Sequence, residues 1–242
     1  MAPNATSSFI IRFYDPEIRA PDTKDRDLDD ILEQSDQWFE ACHDYVQILF
    51  PLPEESMFNY FAPTIERDTF DGFRSRPELR AEMRKAFTRM LAFYGFELHI
   101  ASRAESGPHD SITTKVTEQP DNTADNQKHE KTEVVSDTKT NTNDEDITIV
   151  KAPTSARRFQ NWVMRFNHNH LRITRILRSL RVLGLTKEAD AFFAALESVQ
   201  AERGKFSDTS LKYWRRAVEQ PLWVAPDGEK IGWLQGLEDE SQ

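Results

Sequence analysis

Three groups of residues have types and spacing that could do chemistry. The first is Cys42, His43 and Asp44, inside WFEACHDYVQILFPLPE. A thiol beside an imidazole is the pairing of a nucleophile and its base, and a carboxylate orients such a base. Neighbours on a helix, however, diverge by about 100°. The spacing therefore favours Cys42 as an inert residue of the apolar face, with His43, Asp44 and Gln47 on the polar side. His43 and Gln47 stand at i, i+4 and share a helix surface; with Tyr45 and Trp38 nearby they either line a recognition pocket or are simply solvated. The second group is His168 and His170 around Asn169, preceded by Asn167. An H-x-H chelates a metal when extended, but at a helix start the two rings point apart, and neither HExxH nor CxxC occurs to supply further ligands. No metal and no cofactor is expected. The third group is Arg172, Arg175, Arg178 and Arg181. Guanidinium groups suit phosphates, yet steps of three residues rotate each arginine by about 60° from the last, so they form no stripe. Base-stacking aromatics are not interleaved among them. GxGxxG, GxxxxGK[ST] and GxSxG patterns are missing too.

These residues need elements to hold them. In HNHLRITRILRSLRVLG, 168–184, Ile173, Ile176, Leu177, Leu180 and Leu183 fall on one apolar face, which predicts an amphipathic helix with a core side. A helical spacing also runs from Asp27 through Leu28, Ile31, Leu32, Trp38 and Phe39, followed by Cys42, Tyr45, Val46, Leu49 and Phe50, until Pro51 and Pro53 stop it. Residues 9–26 read as an extended lead-in that pins Phe9, Phe13 and Tyr14. Residues 52–63 read as an ordered loop, and a short helix follows near 65–73. Ser75 and Glu78 suggest a capping box for a long helix ending at Gly95. Phe159, Trp162, Val163 and Phe166 predict one helical face, and Thr186 and Ser207–Ser210 start two more helices. No alternating run is long enough to predict a sheet. The expected fold is all-α, with about six to seven helices.

All 26 aromatic residues lie outside 102–156, a Thr-, Asp- and Asn-rich stretch without apolar period. Such a segment buries too little surface to offset its ordering entropy, and is expected to be a disordered insertion. The organisation expected is therefore one helical domain over 9–219, with an acidic half (9–101), the insertion (102–156) and a basic half (157–219), then an acidic tail (220–242). Charge follows this division: the net is −10 overall, but 157–216 carries 13 Lys/Arg against 5 Asp/Glu. Either the basic half docks on the acidic half of the same fold, or it receives an anionic partner, nucleic acid or a membrane surface; the first reading is preferred. The single cysteine excludes an internal disulfide, the first residues lack the pattern of a signal peptide, and no window is apolar enough to span a membrane. An intracellular protein that meets membranes at most peripherally is expected.

HDYVQILFPLPEES (43–56), MLAFYGFEL (90–98), RFNHNHLRITRILRSLRVLGL (165–185) and SLKYWRRAV (210–218) together resemble the conserved domain of the opioid growth factor receptor family. The resemblance implies a mostly helical soluble protein, unrelated in fold to the seven-helix opioid receptors. It implies a non-enzymatic receptor for a short enkephalin peptide, associated with the nucleus and its envelope. The chain departs from that pattern in its long central loop and in lacking the C-terminal repeats of the animal protein. The site expected lies where 43–51 approaches 168–178, with Trp38, His43, Asp44, Tyr45, Gln47, Asn167, His168, His170, Arg172 and Arg175 as ligand-binding candidates. A peptide carboxylate would pair with Arg172 or Arg175, and its tyrosine ring would stack near Tyr45 or Trp38. The competing readings are an enzyme using His43 with Asp44 or His168 with His170, and anion binding by the arginine helix.

Overall fold

The side chain of Ser8 accepts the Ile11 amide and starts α1, Phe9–Tyr14, where an extended lead-in is expected. The aromatic pair Phe9 and Phe13, one turn apart with ring centroids at 5.7 Å, supports the helix, and Phe13 and Tyr14 are buried in the core. A computed structural model provides this description, which covers residues 8–56, 59, 61–102 and 145–240. It separates into a large unit, 1–99 with 147–242, and a small unit, 100–146.

The series from Asp27 to Phe50 folds as three short helices: α2, Leu28–Leu32, α3, Asp36–Ala41, and α4, Tyr45–Leu49. Asp27 and Asp30 form a reciprocal capping box at α2. Ser35 then takes the Trp38 amide and restarts the helix as a cap, while Cys42 is extended and ends α3. A serine that offers the backbone an alternative partner breaks a helical period that the apolar spacing alone would continue.

Next come α5, Arg67–Ser75, and α6, Pro77–Tyr94. Ser75 is not a cap: its hydroxyl donates back to the Asp71 carbonyl at 2.7 Å, and α6 opens instead on Pro77, whose missing N–H costs nothing at that position. Gly95 ends α6 at φ 92°; a Cβ there would lie 3.1 Å from both the Ser155 Cα and the Arg158 Cβ, so the glycine serves a left-handed turn and a close approach at once.

The structure corrects the absence of a sheet. β1, Phe96–Ser102, pairs with β2, Glu145–Lys151. Each alternates for only seven residues, too short a run to stand out against a helix-rich background, and the anchor is Phe96, buried, with Leu98 and Ile149 packed on the core. Residues 145–151, expected within the disordered insertion, are therefore a strand. The disorder expected of 103–144 falls outside the described residues.

The remaining helices are α7, Ser155–Trp162; α8, Asn169–Val182; α9, Thr186–Arg203; α10, Asp208–Glu219; and α11, Gly232–Glu240. Ile173, Ile176, Leu177, Leu180 and Leu183 are fully buried, as their spacing predicts, and α8 packs against α9 and α10. The stretch after 220 is more than a tail: Ile231 and Leu234 join the core, and the Trp233 ring meets Phe70 at 5.8 Å. The architecture is thus mostly α, with eleven helices among the described residues, because the Asp27–Phe50 series is divided into three and α1 and α11 form where a lead-in and a tail were expected. None of the helices described is long and apolar enough to cross a membrane.

Candidate functional site

The site region is built on the seam between the α3–α4 corner and α8. Arg172, buried in the first turns of α8, extends its guanidinium to the end of α3, where it donates to Phe39 O at 2.9 Å and Cys42 O at 2.9 Å. Arg175 donates to Phe50 O just past α4 at 3.1 Å, and Ser179 donates to Pro51 O at 2.7 Å. Arg178 pairs with Glu54 at 3.4 Å and donates to Leu222 O at 2.6 Å, while Arg181 donates to Ala217 O and Gln220 O at the end of α10. The last carbonyls of a helix have no partner within it and carry partial negative charge. Guanidinium groups supply several donors in one plane and suit that task. The 60° drift that spoils a phosphate-binding stripe lets successive arginines fan out to α3, α4 and α10.

The basic half thus meets the acidic half of the same fold, but of Arg172, Arg175 and Arg178 it is Arg178 that takes a carboxylate, Glu54, and the principal acceptors are main-chain carbonyls. The donors of Arg172 are engaged inside the seam, which closes them to a peptide carboxylate, while Arg175 has one bond there, from Nη1 to Phe50 O. Burial pulls the Arg175 guanidinium down to about 10, so it stays charged at neutral pH. Anion binding by α8 would have to pull Arg172 and Arg178, both buried, out of these bonds.

The other candidates divide between core and rim. Tyr45 is fully buried, stacked obliquely on Trp38 at 5.3 Å and edge-on to Phe39 at 4.7 Å, with Arg172 over its ring at 5.6 Å. Burial holds its hydroxyl well above the ordinary range. Gln47 is buried and donates to Ser56 at 3.1 Å while accepting from Asn59 at 2.7 Å. Asp44 turns toward Lys24 at 2.6 Å, Arg26 at 3.2 Å and the Cys42 thiol at 2.8 Å. Burial acts to raise its carboxyl, but the bonds from Cys42 and Lys24 and the Arg26 charge outweigh it and hold it far below the usual range. Asn167 is a bracket: it accepts the Asn169 amide at 2.9 Å and donates to Asn161 O at 3.0 Å.

His43 and His168 form the exposed rim of the seam, with ring centroids 5.7 Å apart. His43 Nδ1 faces Arg172 Nη2 at 2.5 Å and so must accept. His168 Nε2 lies 3.2 Å from Glu40, whose other oxygen accepts from Asn169 at 3.3 Å. Glu40 and Asn169 were not legible as site residues, because nothing in their local spacing tells that α3 ends against α8. The convergence an enzyme would need between His43 and Asp44, or between His168 and His170, is not found.

His170 faces inward. Its Nε2 donates to Trp162 O at 3.1 Å in the neutral tautomer, its Nδ1 lies 2.8 Å from the Ser210 hydroxyl, and Phe206 and Trp214 pack edge-on against it. Burial lowers its pKa, partly opposed by the Trp162 carbonyl; burial, then Arg172, lowers that of His168. The unfolded chain therefore takes up protons first. Histidine-linked stability is fully present above the ordinary value near 6.5 and is lost as pH falls below it. Urea midpoints should fall between about pH 7.5 and 5, and the slope should flatten in His170→Gln; an unchanged slope would place the sensitivity elsewhere.

Phe166, expected on the buried face with Phe159 and Trp162, is 70% exposed, because α7 stops at Trp162 and the chain bends away. Leu171 and Met164 are exposed beside it in sequence, and the Arg165 guanidinium lies over the Phe166 ring at 5.2 Å. The end of α7 was the missing signal.

Comparison with known proteins adds the family. The profile described as the opioid growth factor receptor conserved region matches residues 4–109 and 140–222. The rat opioid growth factor receptor is 28% identical over 197 residues, covering 79% of this chain and 26% of its own; the human protein is 30% identical, covering 79% and 22%. The chain thus spans about a quarter of the length of these curated relatives. No solved structure matches. With the profile covering both halves of the helical unit, from α1 through α10, the chain belongs to the family of the opioid growth factor receptor conserved region.

Proposed function

We propose that this chain is a non-enzymatic, receptor-like binding module whose ligand is a short enkephalin-like peptide, taken at the rim formed by His43, His168 and Glu40. The observation that carries this reading is the pair of imidazoles held 5.7 Å apart on the surface, above a seam in which Arg172 is bound to main-chain carbonyls. Two exposed rings backed by a buried guanidinium offer flat apolar area together with donors and acceptors, the mixture that short peptides need. A catalytic use is less well served: His43 Nδ1 is committed to Arg172, and Glu40 is shared between His168 and Asn169. The relatives' name, opioid growth factor receptor, supports the receptor class.

Titration calorimetry of the full chain with an enkephalin peptide tests it. Saturable heat is expected, with affinity falling about tenfold in the double variant His43→Ala/His168→Ala, as for the loss of two interface rings. Thermal unfolding run alongside shows that the variant is folded. Absence of heat with the wild-type chain would sink the proposal.

A further inference from the structure

We infer that the bend between α7 and α8 is the anchoring end of this binding surface, with Arg165 receiving a peptide's C-terminal carboxylate and Phe166 and Leu171 its adjoining apolar side chain. The inference rests on the peptide-binding reading above and locates part of the ligand.

Large apolar side chains are seldom left exposed in a cluster without use. Among the described residues, six are exposed, and three of them, Met164, Phe166 and Leu171, fall within the one bend at 164–171. Phe166 is 70% and Leu171 64% exposed, although the interior a few residues away is filled by Trp162 and His170. The bend is held in shape. The Met164 amide donates to Trp162 O at 2.9 Å, the His170 amide to Asn167 O at 3.0 Å, and the Asn167 side chain ties the bend to the last turn of α7. An anchored bend presents its apolar residues at low ordering cost to a ligand.

Charge selects the occupant. Arg165 has no carboxylate partner among the described residues and lies against the Phe166 ring. It thus combines a fork of donors with a flat aromatic support, the geometry that receives a carboxylate. Arg172 of α8, which the sequence offered for this task, is spent on carbonyls, and Arg175 reaches Phe50 O. His168 belongs to this bend and its ring lies 5.7 Å from that of His43, and the proposed path of a short extended peptide runs from Arg165 toward the imidazole pair.

The test uses the full chain and one enkephalin peptide prepared as the free acid and as the C-terminal amide. Binding of the free acid should fall about fivefold in Arg165→Gln and about tenfold in Phe166→Ala, the modest effects suited to an exposed ion pair and one aromatic contact. The amide should bind the wild type about as weakly as the acid binds Arg165→Gln, and Arg165→Gln should not weaken the amide further. If the peptide binds and Arg165→Gln leaves the free acid unaffected, or weakens acid and amide equally, the anchor is overturned while the binding reading stands. If neither form binds the wild type, both fall. Because Arg165 and Phe166 are exposed, both variants should keep the wild-type unfolding midpoint.

Discussion

Arg178→Ala is expected to cost the protein about 3–5 kcal/mol of unfolding free energy, the range for breaking a buried ion pair from one side. Arg178 is 1% exposed and Glu54 9%, so the carboxylate left behind does not reach solvent easily. One of its oxygens already has no hydrogen-bond partner, which leaves Arg178 as its main compensation. Leu222 O loses the Arg178 donor in the same substitution, which loosens the tie between α8 and the chain that follows α10. The size of the loss belongs mainly to the stranded charge, so the double variant Arg178→Met/Glu54→Gln should recover a substantial part of it. Urea unfolding of the three proteins at pH 7.5 gives the comparison. A single-variant loss below about 1 kcal/mol would mean that water reaches Glu54 and that the pair is a surface contact in solution.

The same arginines mark the limit of what the sequence reveals. Periodicity fixes which residues of α8 are apolar and buried, because burial of Ile173, Ile176, Leu177, Leu180 and Leu183 depends only on the helix they share. The burial of Arg172 and Arg178 depends on where α3 and α10 end, which local spacing does not contain. Main-chain carbonyls, the acceptors that matter most here, are identical at every position and leave no compositional trace; carboxylates do, and so drew the expectation toward an acidic partner. Helix ends proved equally hard to read. Ser35 and Ser75 look alike as cap residues, yet one starts a helix and the other bonds back into the helix it ends. The stop of α7 at Trp162 turned Phe166 from a core residue into a surface one. Of the candidate site, His43 and His168 were legible as polar residues on two stretches that meet; that Tyr45, Gln47 and His170 serve the interior was not, since an aromatic or amide looks the same from the sequence whether it lines a pocket or fills a core.

Arg172→Ala should cost less than Arg178→Ala, about 2–4 kcal/mol, and should act at a distance on the rim. No charge is stranded, because the positive group leaves together with its desolvation penalty. What remains are Phe39 O, Cys42 O and Asn169 Oδ1 without their donor, at about 1–3 kcal/mol for each group that water cannot reach. Arg172→Lys should recover only part of the loss, since one ammonium cannot span carbonyls that the guanidinium reaches with separate nitrogens. His43 loses the donor to its Nδ1 in Arg172→Ala, so the end of α3 is released from α8 just where the two rings are held together. Faster amide exchange is therefore expected in the last turn of α3 and through Cys42, while the core amides of α6 and α9 follow global stability alone. Arg175→Ala is the natural comparison, because it removes one carbonyl contact, to Phe50 O, and leaves the corner of His43 untouched. If Arg172→Ala and Arg175→Ala lose the same stability and protect the α3 turn equally, the carbonyls at the end of α3 are met by water, and the seam does not position the histidine rim.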